Sequence, residues 1–371
     1  MGNSVLSSLS VDTPFLPTPQ DLSLVLLSDQ DHIYTLKCPQ EVVAAIRGAL
    51  GPGAIKRNGL SAKAKGLQKF TLTRWLWLSS GTDTVKTRMI VMNIIAAIEE
   101  VGWEVAVEVD LSRSGFLRGW VLRRRSGSAP GRHLMVGFHD TDDVRMLIMD
   151  DGTRVNAVQD AIREGISRAW KISEESEYGG SYEFKLSGNP FCASGESTVA
   201  VREMVLGICD QLGRAQGYVL HNSFILSTRK GSQASLVFKT LSDNGSDPRS
   251  RRHESYLGVS LNDGDDIRLV MAPGQEMDFV ARDEIGRAIV EAWPRGIQRQ
   301  GMYGGIVSSR TALAAGLILL TIVDALNELG WEVKASLDIS GKVRHRTRKD
   351  RPNETEKQDL SSLYFLKAHS A

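Results

Sequence analysis

The sequence predicts an α+β protein of duplicated β-α-β-β-β-β-α units, antiparallel sheets covered by helices, and three recurrences carry that prediction. A helical stretch that stops at glycine and passes into a strand occurs as IIAAIEEVGWEVAVEVDLS at 94–112 and as IVDALNELGWEVKASLDIS at 322–340. Trp103 thus falls on Trp331 and Asp110 on Asp338, at a constant offset of 228. A hairpin signal, two alternating apolar runs around an Asp/Gly-rich turn, occurs as LMVGFHDTDDVRML at 134–147 and LGVSLNDGDDIRLV at 257–270. The helix after each hairpin ends at a tryptophan, Trp170 and Trp293, 123 residues apart. A repeat of this length is a duplicated domain and not a solenoid, whose period is about 20–50 residues.

Residues 1–20, rich in Ser, Thr and Pro and lacking a basic start or an apolar run, are expected to be a flexible leader and not a secretory signal. Gly2 raises N-myristoylation, but that motif wants Ser or Thr at the sixth residue, where Leu6 stands. Residues 21–50 lie over 143–169, and FTLTRWLW at 70–77 takes the place of YEFKLSGNPF at 182–191, so 21–77 reads as a half-unit. Two full units follow at 78–191 and 192–305. Their strands alternate, with Trp103, Val105, Val107 and Val109 on one side and Glu104, Ala106, Glu108 and Asp110 on the other. A weaker middle copy at 201–227 puts Tyr218 where tryptophan stood. Pro294 stops the second hairpin's helix. Residues 306–371 form an incomplete unit, expected to be completed by 21–77 in one composite core. The apolar run Ala312–Val323 is too short for the ~20 residues that cross a bilayer and reads as a buried helix.

The elements Trp293-Pro294-Arg295-Gly296-Ile297-Gln298 and Glu183 to Phe191, EFKLSGNPF, resemble the signature of a group of repeat-built fungal and animal proteins carrying WPxGIQ and EFKLxGNP(W/F). The resemblance covers most of residues 21–340 and implies a repeated architecture without an activity. Phe191 stands at the position after proline where the signature also admits tryptophan.

Composition suits a folded chain of two or three domains: 371 residues, 42% apolar and 24% charged, with 45 Lys plus Arg against 44 Asp plus Glu. So even a balance supplies no global field for nucleic acid or anionic membrane. Cys38, Cys192 and Cys209 are too few and scattered for a disulfide framework and point to a reducing, cytoplasmic setting. The seven histidines are dispersed, no Cys-x-x-Cys or His-x-x-x-His pair exists, and no cofactor or metal is assigned. Asp140-Asp142-Asp143 and Asn262-Asp263-Asp265-Asp266 read as tight turns, lacking the bidentate Glu of a calcium loop. Asp266 and Arg268 are expected to form a surface ion pair. The glycines of GALGPGAIKRNG at 48–59 follow a helix and make a connector, not a phosphate loop. Cys192 or Ser194 before a helix is the nearest approach to a nucleophile, though Ser194 or Ser197 as helix cap is the plainer reading.

Basic stretches remain: Arg123-Arg124-Arg125 with Arg132, Arg249-Arg251-Arg252, and Lys342-Arg344-Arg346-Arg348-Lys349. Each lies in a strand-to-strand connection, where Arg123, Arg124, Arg125, Arg251, Arg252, Arg344, Arg346 and Arg348 are candidates for contacting an anion or a partner. A framework that repeats Trp, Gly and aliphatics but no convergent His, Cys, Ser or Lys is expected to serve shape over chemistry. The expected function is a non-enzymatic interaction or scaffold protein with a protein partner. The alternatives are a small-molecule-binding protein or accessory metabolic enzyme with a pocket between sheet and helix, and a basic-loop binder of nucleic acid or anionic lipid.

Overall fold

Each copy of the repeat builds one six-stranded antiparallel sheet with two helices. The computed structural model describes residues 22–61, 66–111, 117–125, 131–149, 152–226, 233–240, 254–262, 266–292, 297, 299–303, 306–310, 315–338 and 362–367. The first unit runs β1 (Leu22–Ser28), β2 (His32–Leu36), α1 (Gln40–Leu50), β3 (Ile55–Leu60), β4 (Gln68–Leu72), α2 (Asp83–Glu100), β5 (Trp103–Asp110) and β6 (Leu117–Arg124). The second repeats it as β7 (His133–His139), β8 (Asp143–Ile148), α3 (Val155–Ser167), β9 (Ile172–Tyr178), β10 (Ser181–Leu186), α4 (Ser197–Gln216), β11 (Tyr218–Phe224) and β12 (Ser235–Thr240). The third comprises β13 (Ser255–Asn262), β14 (Asp266–Met271), α5 (Phe279–Ala292), β15 (Arg299–Tyr303), β16 (Ile306–Arg310), α6 (Ala315–Glu328), β17 (Trp331–Leu337) and β18 (Ser362–Lys367). The sheet orders are β3-β4-β2-β1-β6-β5, β9-β10-β8-β7-β12-β11 and β15-β16-β14-β13-β18-β17.

The α+β duplication therefore stands, with its frame moved and one strand added per unit. Residues 21–77 are completed by 78–124 through the β1–β6 ladder, in which Leu22 pairs with Arg123 and Val25 with Trp120. Residues 306–371 are completed by 255–303, since β14 pairs with β16 and β13 with β18. The composite terminal unit does not form, and the third unit is whole. Its β16 (Ile306–Arg310) supplies a strand that an incomplete unit would lack. The added strands β3, β9 and β15 sit at sheet edges and carry polar runs such as IKRNGL and ISEESEY, with no apolar alternation to betray them. Such charge on an unpaired edge discourages pairing with another chain.

Local chemistry explains the recurring motifs. At Gly102 and Gly330, both at φ 80°, the chain leaves the helix in a left-handed turn that glycine adopts without strain. The tryptophan that follows, Trp103 or Trp331, is 1% exposed in each case. The EFKLSGNPF segment clasps the preceding hairpin: Leu186 N–H donates to Asp142 O at 2.8 Å and Phe191 N–H to Thr141 O at 3.0 Å. Lys185 Nζ lies 3.1 Å from Asp142 and 3.2 Å from Asp143. The first unit makes the same clasp through Leu72 N–H on Asp31 O and Trp77 N–H on Gln30 O. The tryptophan-phenylalanine exchange at Trp77 and Phe191 is thus a change of core filler.

All three edge strands β5, β11 and β17 carry a bulge at the same place, skipping Ala106, His221 and Lys334. A bulge flips every later side chain to the opposite face. Trp103 and Val105 accordingly point into the first core, whereas Val107, expected beside them, lies on the far side and is 46% exposed.

The units stack as alternating layers. Helix α2 packs on its own sheet with one side and against β7 and β8 of the second sheet with the other. Met135, Leu147 and Val237 of unit two consequently share one core with Val91, Met92 and Ile95 of unit one. Helix α4 does the same to β13 and β14, burying Tyr256, Val270 and Tyr364. The order through the molecule is sheet, helices, sheet, helices, sheet, helices.

In the middle layer α3 and α4 cross at glycine. A Cβ on Gly207 would lie 2.6 Å from Gly165 O, and one on Gly165 would lie 2.7 Å from the Gly207 backbone. Gly207→Ala should gain up to ~1 kcal/mol of helix propensity, yet forcing these backbones apart costs about 1–3 kcal/mol. A lowered urea midpoint is expected, and a raised one would contradict the close crossing.

Candidate interaction surfaces

The charged side chains buried in the structure gather where one unit meets the next. At the first joint Glu99, on α2, is buried among cations from both units. Lys239 Nζ stands 2.5 Å and Arg125 Nη1 3.2 Å from Oε2, while His133 and His221 Nε2 stand 3.3 and 3.4 Å from Oε1. Burial raises the carboxyl's proton affinity, but the two imidazoles and the Lys239 ammonium lower it by more, and Glu99 is held far below the usual carboxylate range. Arg88, about three turns earlier on the same face of α2, donates from Nε to Ser235 Oγ at 3.2 Å and from Nη1 to Thr84 O at 3.2 Å. Beside it, burial and then the Arg88 and Arg145 charges press the His139 pKa well below its ordinary value.

The second joint repeats the key. Arg202 donates from Nε to Ser362 Oγ at 2.9 Å and from Nη1 to Thr198 O at 3.3 Å. Asp210, on α4, accepts from Arg214 at 2.7 Å and from Gln275 of the third unit at 2.9 Å. Strand edges add neutral ties: Asn222 Nδ2 donates to Val105 O at 3.1 Å, and Ser223 Oγ to Ser336 O at 2.7 Å. Buried polar groups satisfied in this way fix the register of one unit on the next.

The basic residues singled out in the sequence divide. Arg123 is paired with Glu104 at 2.6 Å and Arg124 is exposed. Arg125 is 9% exposed and committed to Glu99, so it serves the joint in place of a partner. Arg251, Arg252, Arg344, Arg346 and Arg348 lie outside the described residues, as do residues 263–265 of the second Asp cluster. Arg268 and Asp266, 3.6 Å apart, are not a surface pair, because α4 covers that strand face and leaves Arg268 7% exposed. Thr198 Oγ1 accepts from Arg268 Nη1 at 3.4 Å. Neither Ser194 nor Ser197 makes a capping bond on α4. Burial, followed by the Asp142 charge, pushes the Cys192 thiol up, the direction opposite to a poised nucleophile. Among the described residues, no group of three or more His, Cys, Asp or Glu could hold a metal ion, and no helix is long and apolar enough to cross a membrane.

Two features stand out at the surface. A groove of about 780 Å³, open to solvent, runs between Leu72, Leu76, Leu78 and Ile90 under the exposed Trp75. The second is the outer face of the first sheet. Among the described residues no helix layer covers it, and Leu22, Val107 and Leu111 stand 38%, 46% and 50% exposed, with Leu24, Leu26 and Val121 half-buried around them. The bulge register identifies their counterparts. Val107 and its partner Val121 correspond to Asn222 and Val237, and to Ala335 and Tyr364. Those four are 5% exposed or less, each beneath the preceding unit's helix layer or against a neighbouring strand edge.

One family's domain model matches the chain three times, over residues 21–124, 132–239 and 255–366. These spans coincide with the three sheet-and-helix units and together cover most of the chain. The fold and its joints thus define a class, a tandem array of one α+β domain. The chain belongs to the family that this domain represents and carries three copies of it. No curated protein and no solved structure matches the chain.

Proposed function

We propose that the chain is a non-enzymatic interaction or scaffold protein whose docking surface is the outer face of its first sheet. The observation that carries this is the uncovered apolar face itself. Leu22, Leu24, Val107, Leu111 and Val121 form a contiguous set of the kind that marks association sites when exposed. The buried charges are engaged in holding one unit on the next, and the resemblance to a repeat-built group carrying WPxGIQ and EFKLxGNP elements adds architecture without an activity. The partner is a protein surface of matching apolar character. Free thiols at Cys38, Cys192 and Cys209 suit an intracellular setting.

A photo-crosslinking residue placed at Leu111 should capture one discrete protein in cells, while the same group at exposed Glu164 on α3 should not. Failure of Leu111 to capture any protein would remove the reading. The groove beneath Trp75 favours a second reading, small-molecule binding, and predicts a ligand whose thermal stabilisation of the chain is lost in Trp75→Asp. Retention on heparin or anionic vesicles through Arg124, abolished by about 0.3 M salt, would point instead to a phosphate-bearing partner.

A further inference from the structure

The two ends of the stack are complementary, and we infer that they join: the α5–α6 layer of a second copy seats on the outer face of the first sheet. This rests on reading that face as an interaction surface and names its occupant. The chain itself makes the required joint twice, with α2 on the second sheet and α4 on the third. At the offset of 228 that superposes Trp103 on Trp331, Met92 falls on Leu320. Met92, and Leu206 at the same place on α4 relative to the paired arginines Arg88 and Arg202, are fully buried, whereas Leu320 is 64% exposed. Phe279, Val280 and Val290 of α5 are exposed as well.

The polar key has changed on both surfaces together. The arginine position of α2 and α4 is Gly316 on α6. Its acceptor on the sheet is Ser235, which pairs with Gly137, and Ser362, one place beyond the Val259–Leu363 pair. In the first sheet the equivalent position is Gly119, paired with Leu26. A helix face that kept the arginine would bury a cation against an apolar sheet without an acceptor, which the desolvation of the charge opposes. With glycine on both sides the free surfaces match each other and no longer match the internal ones. Such a contact is heterologous, helix end to sheet end, and builds open chains or rings of copies.

The test is the mass of the full chain by sedimentation across the micromolar range. The wild type should grow with concentration, while Val107→Glu and Leu320→Glu should each be monomeric. Both positions are largely exposed, so circular dichroism should show folded variants. Mixed in equal amounts, the two variants should form a dimer and stop there, because each retains one competent end. A wild type that stays monomeric overturns the inference, as does a Leu320→Glu variant that still associates, which would indicate sheet-to-sheet pairing. A chain that associates only after removal of residues 1–20 assigns the face to its own leader and overturns it too. Should the wild type be monomeric while Leu111 still crosslinks to another protein, the interaction reading survives and only self-assembly falls.

Discussion

Glu99→Gln should lower the stability of the protein by about 3–5 kcal/mol at neutral pH, because it removes one member of a buried charge network and leaves Lys239 and Arg125 without their counter-ion. The amide keeps the shape, so the loss is electrostatic and should appear as a lower urea midpoint. The pH dependence separates this from simple misfolding. The folded-state pKa of Glu99 is depressed, so its stabilisation is fully present above the unfolded-state value, about 4.3, and is lost as pH falls toward the folded-state value. The gap between wild type and Glu99→Gln should therefore shrink as urea titrations move from pH 7 to below the ordinary Glu range. A gap that stays constant on acidification would show that the carboxylate does not organise this joint.

Glu99 also illustrates what the sequence discloses and what it hides. The hairpins around Asp143 and Asp266, the Gly-Trp entries to β5 and β17 and the core aromatics are legible because each is set by neighbours a few residues away. The start of a unit is not. A cyclic pattern of strands and helices has the same offsets wherever it is cut, and only the β1–β6 and β13–β18 ladders, joining residues some hundred apart, decide the frame. The edge strands escape notice because they bury little. Glu99 and its four partners come from α2, β7, β11, β12 and the end of β6, and nothing in their local sequence draws them together. The open face of the first sheet was hidden by one residue: the bulge at Ala106 turns Val107 and Val109 away from the core their alternation promised. The signal that would have found it is an apolar β1 face, Leu22, Leu24 and Leu26, at positions where β7 carries His133, Met135 and Gly137.

Position in the stack should decide how damage spreads. Trp331 is 1% exposed, fills the core of the third unit beside Ile318, Ile322 and Phe365, and has Lys367 Nζ 5.5 Å above its ring. Truncation to alanine costs about 3–5 kcal/mol by lost burial and cavity formation. Among the described residues, the third unit's core is made from its own side chains, whereas each of the other two is shared across a joint. Energies in such an array add as unit terms plus nearest-neighbour terms, so a terminal unit held by one joint can open while the rest persists. Trp331→Ala should thus split thermal unfolding into two steps, with hydrogen exchange lost first in β13–β18 and retained in β1–β6. Trp103→Ala, whose residue lies in the core shared by units one and two, should instead lower the main transition. If both variants shift a single cooperative transition equally, coupling across the joints exceeds the stability of any one unit, and the chain unfolds as one body.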